Sequence, residues 1–392
     1  MARTPLPRTF WWLWTGALIN RLGTFLEPFL ALYLTTARDL SVARAGTVVA
    51  MIGAGSVIAQ PLGGGLADRV GRRPTLVGGM VASGIAIGAL ALARPVWLIA
   101  LLALVVGITG DIYRPAAAAT VADVVPVADR RRAGALMFWA INLGFSVAGT
   151  VGGVLAAHGY GLLFALDALT CLGYATVVWL TVPETRPAEA RHPDAPGWST
   201  VLRDRLAMTF FGLNLAVVAV YATLFTIMPL AMRADGLGPA TYGAVAALNG
   251  VLIVVLNPLL VAWLLRWKVS HALAAGALLT GAAMLVVAAT GGLAGYVTAV
   301  VLITLGEIAT QSVSSGLIAE IAPPALRGRY AGAFGLTFGA AFTITPLAGG
   351  ALLGQDGAAA APWVLAAALA GAATVGMLAL GPALEARRAV AV

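Results

Sequence analysis

The sequence predicts an all-α membrane protein: twelve transmembrane helices arranged as two pseudo-symmetric six-helix bundles. Three observations lead there. The 392 residues are 60% apolar and only 10% charged, with a mean hydropathy of +0.93, whereas soluble domains carry about 45–50% apolar and about 25% charged residues. Apolar stretches of about 20 residues, the length of a helix that crosses a bilayer, recur along the whole chain. The chain also repeats itself after a shift of half its length. Gly46 falls on Gly243, Gly53 on Gly250, Pro61 on Pro258, Arg69 on Arg266, Pro126 on Pro323, and Arg130 and Arg132 on Arg327 and Arg329, all in one register. Gln60 with Asn257 and Asp123 with Glu320 continue it.

The first-half spans are predicted at 10–35, 43–67, 75–93, 96–122, 133–157 and 161–182. Those of the second half fall at 207–233, 241–265, 272–290, 294–319, 330–354 and 360–382. The run that follows Arg3 and Arg8 extends from Phe10 to Tyr33. That exceeds the ~7–15-residue apolar core of a signal peptide, so it reads as the first span. The division is a bundle over 1–182, a polar connection over 183–206 rich in proline, arginine and acids, and a bundle over 207–392. Trp11, Trp12 and Trp14 at the start of span 1 suit the membrane interface.

Of the 24 lysines and arginines, four (Arg38, Arg44, Arg94 and Arg233) fall on one side, Arg21 and Arg114 lie inside spans, and the other 18 share the side of both termini. This bias places both ends in the cytoplasm of a cell or inner membrane. The net charge of +8 is therefore topological, with no gathered patch for nucleic acid. Lone Cys171 excludes a disulfide framework and a cysteine metal cluster, and His158, His192 and His271 offer no metal spacing. The only lysine, Lys268, lies between Trp267 and Val269 and cannot complete a phosphate loop. Gly144-Phe145-Ser146-Val147-Ala148 fails as a nucleophile elbow at its last position. No enzyme, cofactor or metal is expected.

Two similar membrane halves enclosing a site between them are the architecture of a secondary transporter. The loop after span 2 reads Gly64-Gly65-Leu66-Ala67-Asp68-Arg69-Val70-Gly71-Arg72-Arg73. One acid and three arginines in a tight turn suit a latch between helix ends, with Asp68 able to accept from a helix N-terminus. This stretch resembles the major facilitator superfamily signature G-x-L-A-D-R-x-G-R-R at every fixed position. The resemblance implies two rocking bundles around a cavity lined by spans 1, 4, 7 and 10. It also implies a latch in which Asp68 and Arg69 meet the end of span 11 and Asp123 below span 4. The stretch from Gly107 to Pro115, then Ala122-Asp123 and Arg130-Arg131-Arg132, resembles the superfamily's span 4 motif. Ala103 stands where drug–proton antiporters carry arginine, with Arg114 as a substitute, and Gly149-Thr150-Val151-Gly152-Gly153 lacks the proline of their span 5 motif.

A charge at a helix centre costs roughly 2.5–3.5 kcal/mol, so each calls for a partner, a proton or water. Arg21 and Glu27 lie in span 1, Asp111 and Arg114 in span 4, Asp167 in span 6 and Glu307 in span 10. Depth matches Arg21 with Asp111, and three-residue spacing matches Asp111 with Arg114, so the two arginines compete for one acid. Burial disfavours the charged form of an acid without a cation, which suits it to carry a proton between two sides. Glu27, Asp111 and Glu307 are therefore the proton-coupling candidates. Asn20, Arg21, Arg114, Asn214 and Gln311 are the substrate-cavity candidates. Asp167 reads as a buried structural partner or a group near the outer mouth. Asn142, Asn249, Asn257, Gln60 and Gln311 suit interhelical hydrogen bonds.

The expected function is proton-coupled efflux of a small amphipathic or hydrophobic compound by a monomer in the lipid bilayer. Uptake of a sugar or metabolite by the same fold, and a non-transporting receptor, are the alternatives.

Overall fold

The computed structural model describes residues 5–126, 129–186, 198–264, 266–323, 326–353 and 360–391, and their regular structure is helical. The first half holds α1 (Arg8–Leu22), α2 (Leu26–Thr36), α3 (Val42–Arg69), α4 (Arg72–Leu92), α5 (Val96–Val124), α6 (Arg130–His158) and α7 (Tyr160–Thr181). A short α8 (Trp198–Arg203) leads into the second half. There follow α9 (Arg205–Thr226), α10 (Met228–Ala234), α11 (Pro239–Leu264), α12 (Val269–Thr290), α13 (Gly292–Ile321), α14 (Arg327–Leu352) and α15 (Ala361–Ala391). Among the described residues eleven helices are long and apolar enough to cross a membrane. The twelfth crossing is made by α1 and α2 in series. Residues 187–197 of the expected 183–206 connection lie outside the described residues, as do the side chains of Arg130, Arg131, Glu320 and Arg327.

The first span departs from the continuous 10–35 helix read from sequence. It breaks between Leu22 and Leu26, with Gly23 closing α1. Pro28 falls in the first turn of α2, where proline is tolerated; proline alone does not force the break, because Pro61 and Pro115 lie inside the continuous helices α3 and α5. A Cβ on Gly23 would also strike Thr170 of α7. The seventh span, expected whole over 207–233, breaks at Ile227 just ahead of Pro229, which likewise falls in a first turn.

Packing follows the sequence repeat. α3 packs on α5, α4 on α5 and α7, and α1 on α6 and α7. Their counterparts are α11 on α13, α12 on α13 and α15, and α9 on α14 and α15. Among the described residues the halves are joined mainly by α3 with α14 and α6 with α11, with smaller contacts of α2 on α9 and α10. Helices come this close only where side chains are small. A Cβ on Gly46 or Gly53 would strike the backbone of Pro346 or Phe342, and one on Gly243 that of Gly149. These contacts occupy the ends of the helices remote from the arginine-rich side. Past Pro61, by contrast, Gly64 and Gly65 meet nothing within 4 Å, and neither does Gly134 near the start of α6. The close backbone contacts between the halves lie at the end remote from the arginines.

On the arginine-rich side the second half is tied by Asp204. Its carboxylate accepts from Ala207 N at 3.2 Å, capping α9, from Tyr330 Oη of α14 at 2.5 Å and from Arg387 Nη1 of α15 at 2.9 Å. Partial burial opposes its ionisation, but the hydrogen bonds from Arg387, Tyr330 and Ala207 outweigh this and hold its pKa below the usual carboxylate range.

Two outcomes are expected. Gly53→Leu, forced against the backbone of α14, lowers the thermal midpoint of the detergent-solubilised protein, since overpacking costs about 1–3 kcal/mol. Gly78→Ala, with nothing within 4 Å, leaves it level or slightly higher. Because the Asp204 carboxyl is held low in the fold, its contribution is complete above the usual carboxylate range and is lost as pH falls through it. Melting curves from about pH 7 to about pH 3 should therefore show a lower midpoint at neutral pH and a flatter acid decline in Asp204→Asn than in the wild type.

Candidate functional site

The broken first span opens a polar site inside the first half. At the gap, Gly23 and Thr24 still donate to the α1 carbonyls of Asn20 and Arg21, and Phe25 N reaches Gly23 O at 2.8 Å. Asp167 on α7 serves the start of α2: its Oδ2 accepts from Phe25 N at 2.9 Å and Leu26 N at 2.8 Å. The residue is 4% exposed and sits where the dipole of α2 favours a negative charge. Of the two sequence readings, the buried structural partner is the one observed. Glu27 follows at once in the first turn of α2.

Glu27 lines a cavity of about 90 Å³ together with Asn20, Arg21, Asp111, Arg114 and Asp167. Arg114 takes Asp111, Nε to Oδ1 at 2.6 Å. Arg21 instead donates from Nη2 to Tyr113 Oη at 3.0 Å, and its buried Nε has no partner among the described residues. The Arg21–Asp111 bridge expected from depth is therefore replaced by the one-turn pair. Rigid spacing along one helix holds the guanidinium on its acid, whereas a bridge from α1 depends on the packing of two helices. Glu27 makes no ion pair among the described residues, although Asp111, Arg21 and Arg114 lie within its electrostatic range. Asn20 donates to Cys171 Sγ at 3.4 Å.

Glu307 is placed in the second half. Asn249 of α11 donates to its Oε2 at 3.0 Å, and to Thr304 Oγ1 at 3.0 Å. Tyr221 of α9 also hydrogen-bonds Glu307 and lies within electrostatic range of Glu27. One phenol therefore faces an acid from each half. Asn214, a cavity candidate by sequence, is instead buried and donates to Thr337 Oγ1 at 2.8 Å, holding α9 to α14. That amide is consumed by helix packing, which sequence position alone does not disclose. Gln311 is half-buried on α13, one turn past Glu307. Asn257 accepts from Ser312 at 3.2 Å as an interhelical bonder, whereas Asn142 donates within its own helix to Phe138 O at 2.9 Å.

At the arginine-rich end, α3 runs to Arg69 and α4 starts at Arg72, so the turn shrinks to Val70 and Gly71, the latter at φ +127. A side chain rarely adopts that angle, which is why the turn uses glycine. Arg72 is buried and donates from Nη1 to Asp68 Oδ1 at 2.6 Å and to Ala67 O at 2.7 Å, and from Nε to Asp123 Oδ2 at 3.4 Å. The arginine that joins Asp68 to Asp123 is thus Arg72. Arg69, expected in that role, is exposed, and its carbonyl accepts from Arg186. One residue more of helix turns Arg69 outward and puts Arg72 at the junction. Asp68, with a side chain 66% exposed, caps no helix. Glu184 does so, accepting from Arg72 N at 2.9 Å and Arg73 N at 3.2 Å. Burial of Glu184 works against its charge, but backbone bonds from Arg186, Arg72, Arg73 and Thr185 prevail and lower its pKa. Thr185 bonds Asp123 at 3.2 Å, and Arg73 stacks over the Trp179 ring at 4.5 Å. The acid one residue past Pro183, just beyond span 6, was the signal for Glu184.

Comparison with known proteins agrees with this geometry. The Major Facilitator Superfamily model matches residues 13–234. A Na(+), Li(+), K(+)/H(+) antiporter of Planococcus maritimus is 25% identical over 356 residues, covering 82% of this chain and 83% of that protein. Multidrug resistance protein MdtH of Klebsiella pneumoniae (strain 342) is 26% identical over 314 residues, covering 78% of this chain and 77% of MdtH. The crystal structure of peptide transporter POT in complex with sulfate superposes with a TM-score of 0.81 at 18% identity, covering 97% of this chain and 96% of that one, and so shares the fold. Family and relatives alike are transporters rather than enzymes. The chain belongs to the Major Facilitator Superfamily and is a multi-pass membrane transporter.

Proposed function

We propose that this transporter exports a small amphipathic or hydrophobic compound in exchange for protons, with the pH gradient as its energy source and no cofactor. The observation that carries this reading is the pair Glu27 and Glu307. Each is a membrane-embedded carboxyl without an ion pair among the described residues, one in each half, and both are within range of Tyr221. A carboxyl so placed takes a proton when water from the acidic side reaches it and loses it when access reverses. Asp111 is the weaker coupling candidate because Arg114 already neutralises it.

Alternating access needs contacts that break at one end while others form at the opposite end. The glycine-lined joints of α3 with α14 and α6 with α11 serve one end. Arg72, with Asp68, Asp123 and the Glu184 cap, serves the other. We place the arginine-rich end and both termini in the cytoplasm of a cell or inner membrane, and the working unit as a monomer. Phe145 meets Phe225 between the halves at 5.3 Å, and Phe225 meets Phe342 within the second half at 6.2 Å; these rings supply apolar contact for an amphipathic compound. The name of one relative, a multidrug resistance protein, supports export of an amphipathic compound, and that of another, a cation/proton antiporter, supports exchange for protons. The second of them favours monovalent-cation exchange as the other reading.

Proteoliposomes with an imposed pH gradient test the proposal, using ethidium as an amphipathic probe and Na⁺ or K⁺ as alternative cargo. Gradient-driven ethidium movement should fall at least about tenfold in Glu27→Gln and Glu307→Gln, a loss of about 1.4 kcal/mol or more, with thermal midpoints retained. Unchanged flux in both variants rejects the coupling assignment, and gradient-driven Na⁺ or K⁺ movement without ethidium movement moves the assignment to the cation reading. Arg72→Ala should slow ethidium turnover several-fold while leaving its pH dependence unaltered.

A further inference from the structure

Asp167 belongs to none of the sequence motifs and to none of the ion pairs. It is buried on α7, and its Oδ2 accepts from the Phe25 and Leu26 amides at 2.9 and 2.8 Å. These amides open α2 at the break in the first span, the Phe25 amide also reaching Gly23 O at 2.8 Å, and they belong to the residues immediately before Glu27. A charged carboxylate is a far better acceptor than a neutral carboxyl and interacts favourably with a helix N-terminus. The cap is therefore strongest when Asp167 carries charge. The charged and titratable groups facing the same cavity are Arg21 on α1, Glu27 on α2, Asp111 and Arg114 on α5, and Cys171 on Asp167's own helix. Among the polar groups there, α3 and α4 contribute Ser56 and Ser83, and α6 contributes no lining. Arg114 is taken by Asp111 and Arg21 by Tyr113, so among the described residues no cation is paired with Asp167.

We propose that Asp167 is a proton-responsive positioning residue. As a carboxylate it fastens the start of α2 to α7 and holds Glu27 in the cavity. Protonated, it loosens both amides and frees α2, with Glu27, to shift against α7. The proton taken up comes from cavity water and stays on the carboxyl, so no other group changes charge. The consequence for transport rests on the coupling role of Glu27, whereas the loosening of the cap does not.

Hydrogen exchange of the full-length protein in lipid nanodiscs, followed by mass spectrometry on peptides spanning residues 20–30 and corrected for intrinsic rates, reads the cap directly. Between about pH 8 and about pH 4.5, wild-type protection in this segment should drop at least about tenfold, while peptides from α12 stay level. Asp167→Asn should show pH-independent protection, and Asp167→Ala should lose protection at every pH. Glu27→Gln should keep the wild-type pH response. Constant protection in the wild type, or the same drop in Asp167→Asn, overturns the proposal. Because the measurement needs no cargo, it is separate from the ethidium flux test. Should Glu27→Gln transport normally, the coupling reading fails while the cap is still judged by exchange alone.

Discussion

A backbone amide or a charge placed in hydrocarbon must find its partner inside the protein, because lipid offers none. The break at Gly23 to Phe25 is the sharpest instance. Pro28 suits the first turn of a new helix, and Asp167 reaches across from α7 to the amides of Phe25 and Leu26 at its start. From that single compromise follow the position of Glu27, the cavity beside it and the company of Asp111 and Arg114. Arg114 and Asp111 settle each other, which leaves Glu27 as an acid without an ion pair among the described residues.

The same rule shapes the two ends of the molecule differently. At one end small residues bring helices of opposite halves into backbone contact, as at Gly53 with Phe342 and Gly243 with Gly149. Such an interface is held by shape and by dispersion, with little charge to desolvate when it parts. At the other end charge does the work. Arg72 gathers Asp68 and Asp123 in the first half, and Asp204 gathers Tyr330 and Arg387 in the second. Bonds made by charged groups are directional and stop within a fraction of an ångström. The joint between the halves is thus dry at one end, while the polar clusters at the other each tie helices within one half.

Much of this was open to a reader of the chain. The twelve spans and their order followed from hydropathy and length, and the loop from Gly64 to Arg73 declared the superfamily. The halves' mutual likeness showed in matched prolines and arginines, and it reappears as matched helix pairs. Where the reading went astray, one local detail was outweighed by another. Pro28 and Pro229 signalled the two broken spans, but runs of apolar residues masked them. Arg69 was preferred to Arg72 because the way α3 ends and α4 begins, which leaves one exposed and buries the other, is not encoded in the spacing alone.

Sequence by itself determined that the chain lives in a bilayer, how often it crosses, and which ionisable groups it carries inside. Those properties are sums over local transfer energies, and each residue contributes to them wherever it sits. Only the tertiary structure decided which partner each buried group finds. That choice placed Arg114 on Asp111, Arg21 on Tyr113, Asn214 on Thr337 and Asp167 on the amides of Phe25 and Leu26. Partnership depends on distances of about 3 Å between residues far apart along the chain, and these are set by how helices rotate and lean when their small residues meet.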